Sequence, residues 1–338
     1  MTDTELLEPF ERMLIDVASV SRLREILKGG PVDGVWEPLQ ESGYLDALLD
    51  PAHGGAGLSF AQLGALLQAA GRHLLPVPFG ETVIARALLA QAGIPPPRGP
   101  MVLITPAAGS GNDRYQQAVP LARVAQYALV EVNGRISLRM LSQAAVRHTD
   151  VHGSLAADVD WRCAPEMVAG GRSVQSGMLR AIAAVIRAAE IAGAADQLLR
   201  MTVAYAGHRA QFGKPIAKLQ AVQQQLAVMA EQVVMARMAA QLGCSSGFPP
   251  SLSAVAVAKH ICGAAVPRIT SIAHAIHGAI GISEEHDLQL YVRTLYECRI
   301  AAGSEIYWAT VLGADYLKGS CDSTVDFVRG MRQMHLNG

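Results

Sequence analysis

Residues 205–216 read YAGHRAQFGKPI. From about residue 175 up to this stretch the chain is aliphatic and small-residue-rich, with Ala181, Ala183, Ala184, Ala188, Ala189, Ala192, Gly193 and Ala194. Beyond it a helical apolar period resumes. Gly213-Lys214-Pro215 cannot carry a helix onward, because glycine frees the backbone and proline has no amide proton to donate. The stretch is therefore a joint between two long helices. Similar breaks at Gly247-Phe248-Pro249-Pro250 and at Gly278 to Gly281 predict helices over about 175–208, 216–243, 251–277 and 287–318. Pro267 is expected to kink the third. Residues 173–338 thus read as a four-helix bundle whose alanines permit close helix contact, and oligomerisation is expected.

Outward from the bundle the pattern changes. Residues 127–132, the pair Asn133-Gly134 and residues 135–140 form a hairpin signal, since Asn-Gly supplies the positive φ angles of a type I′ turn. Ile136, Leu138 and Met140 alternate with Arg135, Ser137 and Arg139, so one face is buried and the other wet. A small β domain is expected over 98–172, with Trp161 a packed core residue. Residues 1–97 read as a helical domain, interrupted by the glycine-rich turn at 51–57 and by Pro76-Val77-Pro78. No strand precedes that glycine turn and no Lys-Ser/Thr follows it, so it reads as a connection and not a phosphate loop. The fold class is α+β, mostly α, in the order helical domain, small middle β domain, C-terminal four-helix bundle.

Composition bounds the function. Twenty-eight Lys and Arg against 29 Asp and Glu leave a formal charge of −1, which offers no general attraction to nucleic acid or to an anionic membrane. The five cysteines are scattered without a C-x-x-C pair, and His148, His152, His274 and His277 show no i,i+4 pairing. Neither a disulfide framework nor a metal site is expected. The N-terminus is acidic and lacks the basic and apolar regions of a signal peptide, so a soluble, cytoplasmic protein is expected.

The joint at 205–216, together with Gln220 and Gln224, the run Ile276-His277-Gly278-Ala279-Ile280-Gly281-Ile282-Ser283-Glu284-Glu285 and the closing Gly303-Ser304-Glu305-Ile306, resembles the acyl-CoA dehydrogenase family. Trp36-Glu37-Pro38-Leu39 and residues 53–58 extend the resemblance into the first domain. It implies FAD as cofactor, an acyl-CoA thioester as substrate and an electron-transfer flavoprotein as partner. In the family a glutamate takes the α-proton while the flavin N5 accepts the β-hydride. It further implies that Arg209, Gln211, Phe212, Gln220, Gly278 and Gly281 contact the diphosphate and adenosine of FAD held by a neighbouring subunit. A guanidinium suits pyrophosphate oxygens, and a turn without side chains offers its amides to an anion.

The resemblance fails at the base. Aligning Ser304-Glu305-Ile306 with the family's Tyr-Glu-Gly-Thr-Ser-Glu-Ile puts Ala301 where the glutamate belongs, and counting from Gly278 lands on Ala302. The other family location falls at Ala183, beside Ala184. A methyl group takes no proton. Glu297, in Tyr296-Glu297-Cys298, is a displaced candidate, with a helix carboxylate near Arg293 and Arg299 as its ordinary reading; Glu190 reads as an i,i+3 partner of Arg187. The family's flavin-enclosing stretches are not found between Pro100 and Ser173. What the sequence keeps is the half-site lent to a neighbour. The first expectation is a subunit of a hetero-oligomeric acyl-CoA dehydrogenase, working beside a homologous glutamate-bearing subunit on a bulky, steroid-like CoA thioester. Two alternatives stay open: a homo-oligomeric dehydrogenase with a relocated base, and a flavin-free binding module.

Overall fold

The computed structural model describes residues 3–105, 114–132, 134–163, 172–319 and 323–327. Helices α1 (Asp3–Val17), α2 (Val20–Leu27), α3 (Asp33–Glu41), α4 (Phe60–Arg72) and α5 (Phe79–Gln91) come first. Strands β1 (Met101–Ile104), β2 (Tyr115–Val119), β3 (Tyr127–Val132), β4 (Arg135–Met140), β5 (Ala145–His148), β6 (Ala157–Asp160) and β7 (Arg172–Ser173) follow. After these the chain runs α6 (Met178–His208), the short strands β8 (Ala210–Gln211) and β9 (Lys214–Pro215), α7 (Gln220–Ser245), α8 (Leu252–His277), α9 (Leu288–Ile300) and α10 (Glu305–Lys318). Two compact units result. One gathers the chain up to Leu63 with Leu75–Ala183, the other Gly64–Leu74 with the chain from Ala184 onward.

In the first unit Phe10 packs tilted against Tyr44 and Phe79, with ring centroids 4.6 and 5.0 Å apart. β1, β3, β4 and β7 form one sheet, in which β1 pairs parallel with β3 and β3 antiparallel with β4. The β3–β4 register closes on Val132 opposite Arg135, as the Asn-Gly signal requires, although Asn133 itself lies outside the described residues. β2, β6 and β5 form a second sheet, and Trp161 packs in the core that both sheets share, its Nε1 donating to the Met140 carbonyl at 3.1 Å. Glu131, buried on β3, accepts from the main-chain amides of Gly177 and Leu179, the latter at 2.8 Å. A carboxylate there satisfies two orphan donors and complements the positive end of a 31-residue helix.

In the second unit α8 packs against α7, α9 and α10. It is the one described helix long and apolar enough to cross a bilayer, and it serves here as the core helix of the bundle. It continues through Pro267, and Thr270 Oγ1 in the following turn donates to the Val266 carbonyl at 2.9 Å. α4 and α6 cross with backbone against backbone: a Cβ on Gly193 would stand 1.8 Å from the Gln68 carbonyl oxygen, and one on Gly71 2.3 Å from that of Glu190. Only hydrogen fits at either point.

The segment expected as one helix over 287–318 is two. α9 ends at Ile300, Ala302 and Gly303 turn the chain with φ of 57° and 103°, and Ser304 caps α10 by accepting from the Tyr307 amide at 3.3 Å. Positive φ at two successive residues cannot be absorbed in a right-handed helix.

Candidate functional site

The joint at 205–216 folds into a two-residue hairpin. Ala210 pairs with Pro215 and Gln211 with Lys214, leaving Phe212 and Gly213 as the turn, with φ of 51° and 74°. Positive φ at both central positions is the type I′ requirement. Glycine meets it without cost, whereas phenylalanine does not. Phe212 is nonetheless there, and its side chain is 85% exposed. Arg209 and Gln211 are also exposed, as is Gln220 at the start of α7. The Arg209 carbonyl accepts from the Ile216 amide at 2.8 Å, which ties the base of the hairpin to the chain that follows.

The C-terminal ends of α6 and α8 meet through Tyr205, whose ring stacks on His277 at 4.5 Å and whose hydroxyl donates to the His277 carbonyl at 3.3 Å. The contact sets the hairpin and the Gly278 turn at the same end of the bundle. Gly278 takes φ 64° and ψ −141°, a region reserved for glycine, and a Cβ on it would meet nothing within 4 Å. Gly281 is buried, and a Cβ there would lie 3.1 Å from the His277 Cβ. Residues 278–282 form a 3₁₀ turn, and α9 begins at Leu288, one residue from the expected 287. His277 is missed by the sequence reading as a participant. It is 3% exposed, its Nδ1 bonds the Ala273 carbonyl at 2.8 Å and its Nε2 is buried without a partner. Burial holds its pKa below the ordinary histidine value, with His286 edge-on at 5.1 Å and His274 adding repulsion.

The two anchors used to place a base converge on the α9–α10 strap. Ala301 caps α9, its amide donating to the Glu297 carbonyl at 3.0 Å, and Ala302 follows in the left-handed turn. Ala183 and Ala184 are buried in α6. Glu297 is half-buried, and its charge acts on the buried Arg187 and on the Cys298 thiol. It is therefore tied to the bundle interior and not to bulk solvent, while Arg293 donates to Gln289 and Arg299 to Glu305. Arg187 and Glu190 form the expected ion pair at 2.7 Å, with Arg187 buried and Glu190 partly buried. Burial raises Glu190 and Arg187 opposes this, while the Cys298 Sγ lies 3.6 Å from its Oε2. Burial also pushes the Cys262 and Cys298 thiols up to about 12. Lys259 completes this interior cluster, pushed down to about 8 by burial.

Residues 170–313 match the family model described as acyl-CoA dehydrogenase, C-terminal domain. The C-terminal part of the chain is an acyl-CoA dehydrogenase C-terminal domain. Acyl-CoA dehydrogenase IpdE2 of Mycolicibacterium smegmatis is 29% identical over 266 residues, which cover 77% of this chain and 80% of the relative. Among solved structures, the ChsE4–ChsE5 complex of Mycobacterium tuberculosis matches with a TM-score of 0.83 at 20% identity, over 94% of this chain and 98% of that one. The Tcur3481–Tcur3483 steroid acyl-CoA dehydrogenase matches with a TM-score of 0.78 at 23% identity, over 94% and 98%. The acyl-CoA dehydrogenase fold is thus common to all of them. PigA, solved with FAD and proline, also shares the fold, with a TM-score of 0.77 at 15% identity over 94% of this chain and 98% of that one.

Proposed function

We propose that this chain is the glutamate-less subunit of a hetero-oligomeric acyl-CoA dehydrogenase, lending the adenosine and diphosphate pocket of FAD to a homologous, glutamate-bearing partner. The observation that carries the reading is the pairing of an exposed half-site with an absent base. Arg209, Gln211, Phe212 and Gln220 are all exposed, Gly278 stands open at the end of the bundle where Tyr205 meets His277, and methyl groups occupy 301, 302 and 183.

The residues fit the cofactor's anionic half. The Arg209 guanidinium can give paired bonds to phosphate oxygens, and the Gly278 main chain has no side chain or neighbour to keep an anion away. Gln211 and Gln220 supply neutral donors and acceptors, and the Phe212 ring supplies an apolar face. When bound, FAD accepts the hydride of the desaturation. On this reading the present chain orients the dinucleotide and excludes water from it, and the proton is taken by a carboxylate of the partner. Electrons pass onward to an electron-transfer flavoprotein, and the assembly works in the cytoplasm. The names of the ChsE4–ChsE5 complex and of the Tcur3481–Tcur3483 steroid enzyme support both the two-chain architecture and a steroid-derived thioester as substrate.

Flavin absorbance and solution mass test the proposal. The chain purified alone is expected to be colourless, and a mixed assembly with a glutamate-bearing homologue yellow. Stoichiometric FAD on the chain alone would sink it. The relocated-base reading has one point in its favour, the half-buried Glu297 one helical turn before Ala301. Glu297→Gln should then abolish turnover, while the lending-subunit reading leaves turnover by the mixed assembly within severalfold of the parent.

A further inference from the structure

We infer that Lys259 is the positioning residue of the α9–α10 strap, its buried ammonium fixing where residues 300–304 stand. Its side chain is 0% exposed, and Nζ donates to the Arg299 carbonyl at 2.6 Å and to the Gly303 carbonyl at 2.9 Å. One cation thus bridges the last turn of α9 and the far side of the break. Such a bridge is needed because the strap does not hold itself: Ala302 and Gly303 both take positive φ, which costs energy at alanine, and the carbonyls at a helix C-terminus have no partners within the helix.

The surrounding bonds all converge on the same loop. Trp308 Nε1 donates to the Ala302 carbonyl at 3.0 Å. The Arg299 guanidinium binds the Glu305 carboxylate across the break, with Nε 3.1 Å from both oxygens. His260, next to Lys259 on α8, places Nδ1 3.0 Å from the Glu305 carbonyl oxygen. A Cβ on Gly303 would collide with the Tyr307 ring at 2.6 Å and Trp308 Nε1 at 2.8 Å. The strap is thereby built to one shape, and Lys259 is the only one of these ties that reaches both of its ends from another helix. An ammonium in a site that excludes water is costly unless paired. Its two carbonyl bonds offset that cost, and an apolar residue of similar length would lack them.

The functional part of this inference rests on the proposed reading, in which the strap carrying Ala301 and Ala302 borders the acyl thioester in the assembled enzyme. The mixed assembly carrying Lys259→Met is to be compared with its parent by amide hydrogen exchange and by acyl-CoA-dependent dye reduction. Amides of 301–304 are expected to exchange about ten- to hundredfold faster, the loss of charge-assisted bonds, while α7 amides keep their rates. KM for the thioester rises with little change in retained flavin. Lys259→Ala should show the same local loosening and be restored by n-propylammonium but not by n-propanol, a rescue that general destabilisation would not give. Where Lys259→Met fails to fold, the Lys259→Ala rescue decides alone. Unchanged exchange at 301–304, a uniform rise across the bundle, or equal rescue by the alcohol overturns the clamp. Local loosening with unaltered KM leaves the clamp standing and overturns the placement of the strap beside the thioester.

Discussion

Breaking the interior ion pair from either side should cost more than removing it whole. Arg187 and Glu190 sit at 2.7 Å with side-chain exposures of 7% and 14%, one turn apart on α6. Arg187→Met leaves Glu190 buried without its cation, and Glu190→Leu leaves a guanidinium that cannot shed its proton. Each single change is expected to cost about 3–5 kcal/mol, a large share of the roughly 5–15 kcal/mol that stabilises a domain. The double change Arg187→Met with Glu190→Leu removes both charges at similar volume and should be more stable than either single variant. Some loss remains, because the Cys298 thiol then lacks its acceptor and Glu297 its nearby cation. Urea unfolding followed by far-UV circular dichroism gives the four free energies, with the slope checked for constancy. The singles should also differ in pH dependence. In Arg187→Met the folded-state pKa of Glu190, already raised by burial, rises further, so the folded chain binds the extra proton and stability falls as pH rises through the window above about 4.5. That variant recovers part of its loss towards pH 5, and Glu190→Leu does not, since arginine stays charged. A double variant whose loss equals the sum of the singles would refute the reasoning, because the two charges would then be solvated independently.

The remaining expectations concern the half-site, the strap and the helix crossing. Arg209→Ala should weaken FAD binding by the mixed assembly roughly ten- to hundredfold, the value of charge-assisted bonds, and leave the melting temperature of the lone chain within error because the side chain is exposed; titration with apo-assembly checks the first and calorimetry the second. Lys259 is held at about 8 against an ordinary 10.5, so the unfolded chain binds more protons between those values and stability rises with pH across that window. The parent should gain up to about 3 kcal/mol relative to Lys259→Met from pH 8 to 10.5, measured by parallel urea titrations. Gly193→Ala places a methyl 1.8 Å from a backbone oxygen and should destabilise by about 3 kcal/mol or more, seen as a lowered urea midpoint.

The parts of the fold that were legible in the sequence are those set by local chemistry. The Asn133-Gly134 signal fixed the β3–β4 register, and the Gly and Pro breaks at 213–215 and 247–250 placed the ends of α6, α7 and α8 within a few residues. The break at 301–304 was present too, as a glycine followed by a serine three residues before Tyr307, but the apolar period running through it concealed the cap. Burial of charge was not legible. Arg187, Glu190 and Lys259 lie among alanines and aliphatic residues, yet nothing local distinguishes a cation on a wet face from one whose partner lies 40 residues away, as the Arg299 carbonyl does from Lys259. The same holds for the glycine contact between α4 and α6, which depends on two helices distant in sequence. Of the candidate site, the exposed arginine, glutamines and open glycine follow from short segments, whereas the unpartnered His277 Nε2 depends on the tertiary contacts of Tyr205 and His286.

The tip of the β8–β9 hairpin sets folding and use against each other. Glycine at 212 would remove the left-handed cost and a greasy surface ring together, so selection for the folding of this chain in isolation would favour it. On the proposed lending-subunit reading, phenylalanine here is a thermodynamic burden to its own chain, a trade of stability against activity in which the gain falls outside the polypeptide that bears the loss. A variant screened only for solubility and thermal resistance would accordingly drift towards glycine at this position, and would be improved by every measure except the one made in the assembled enzyme.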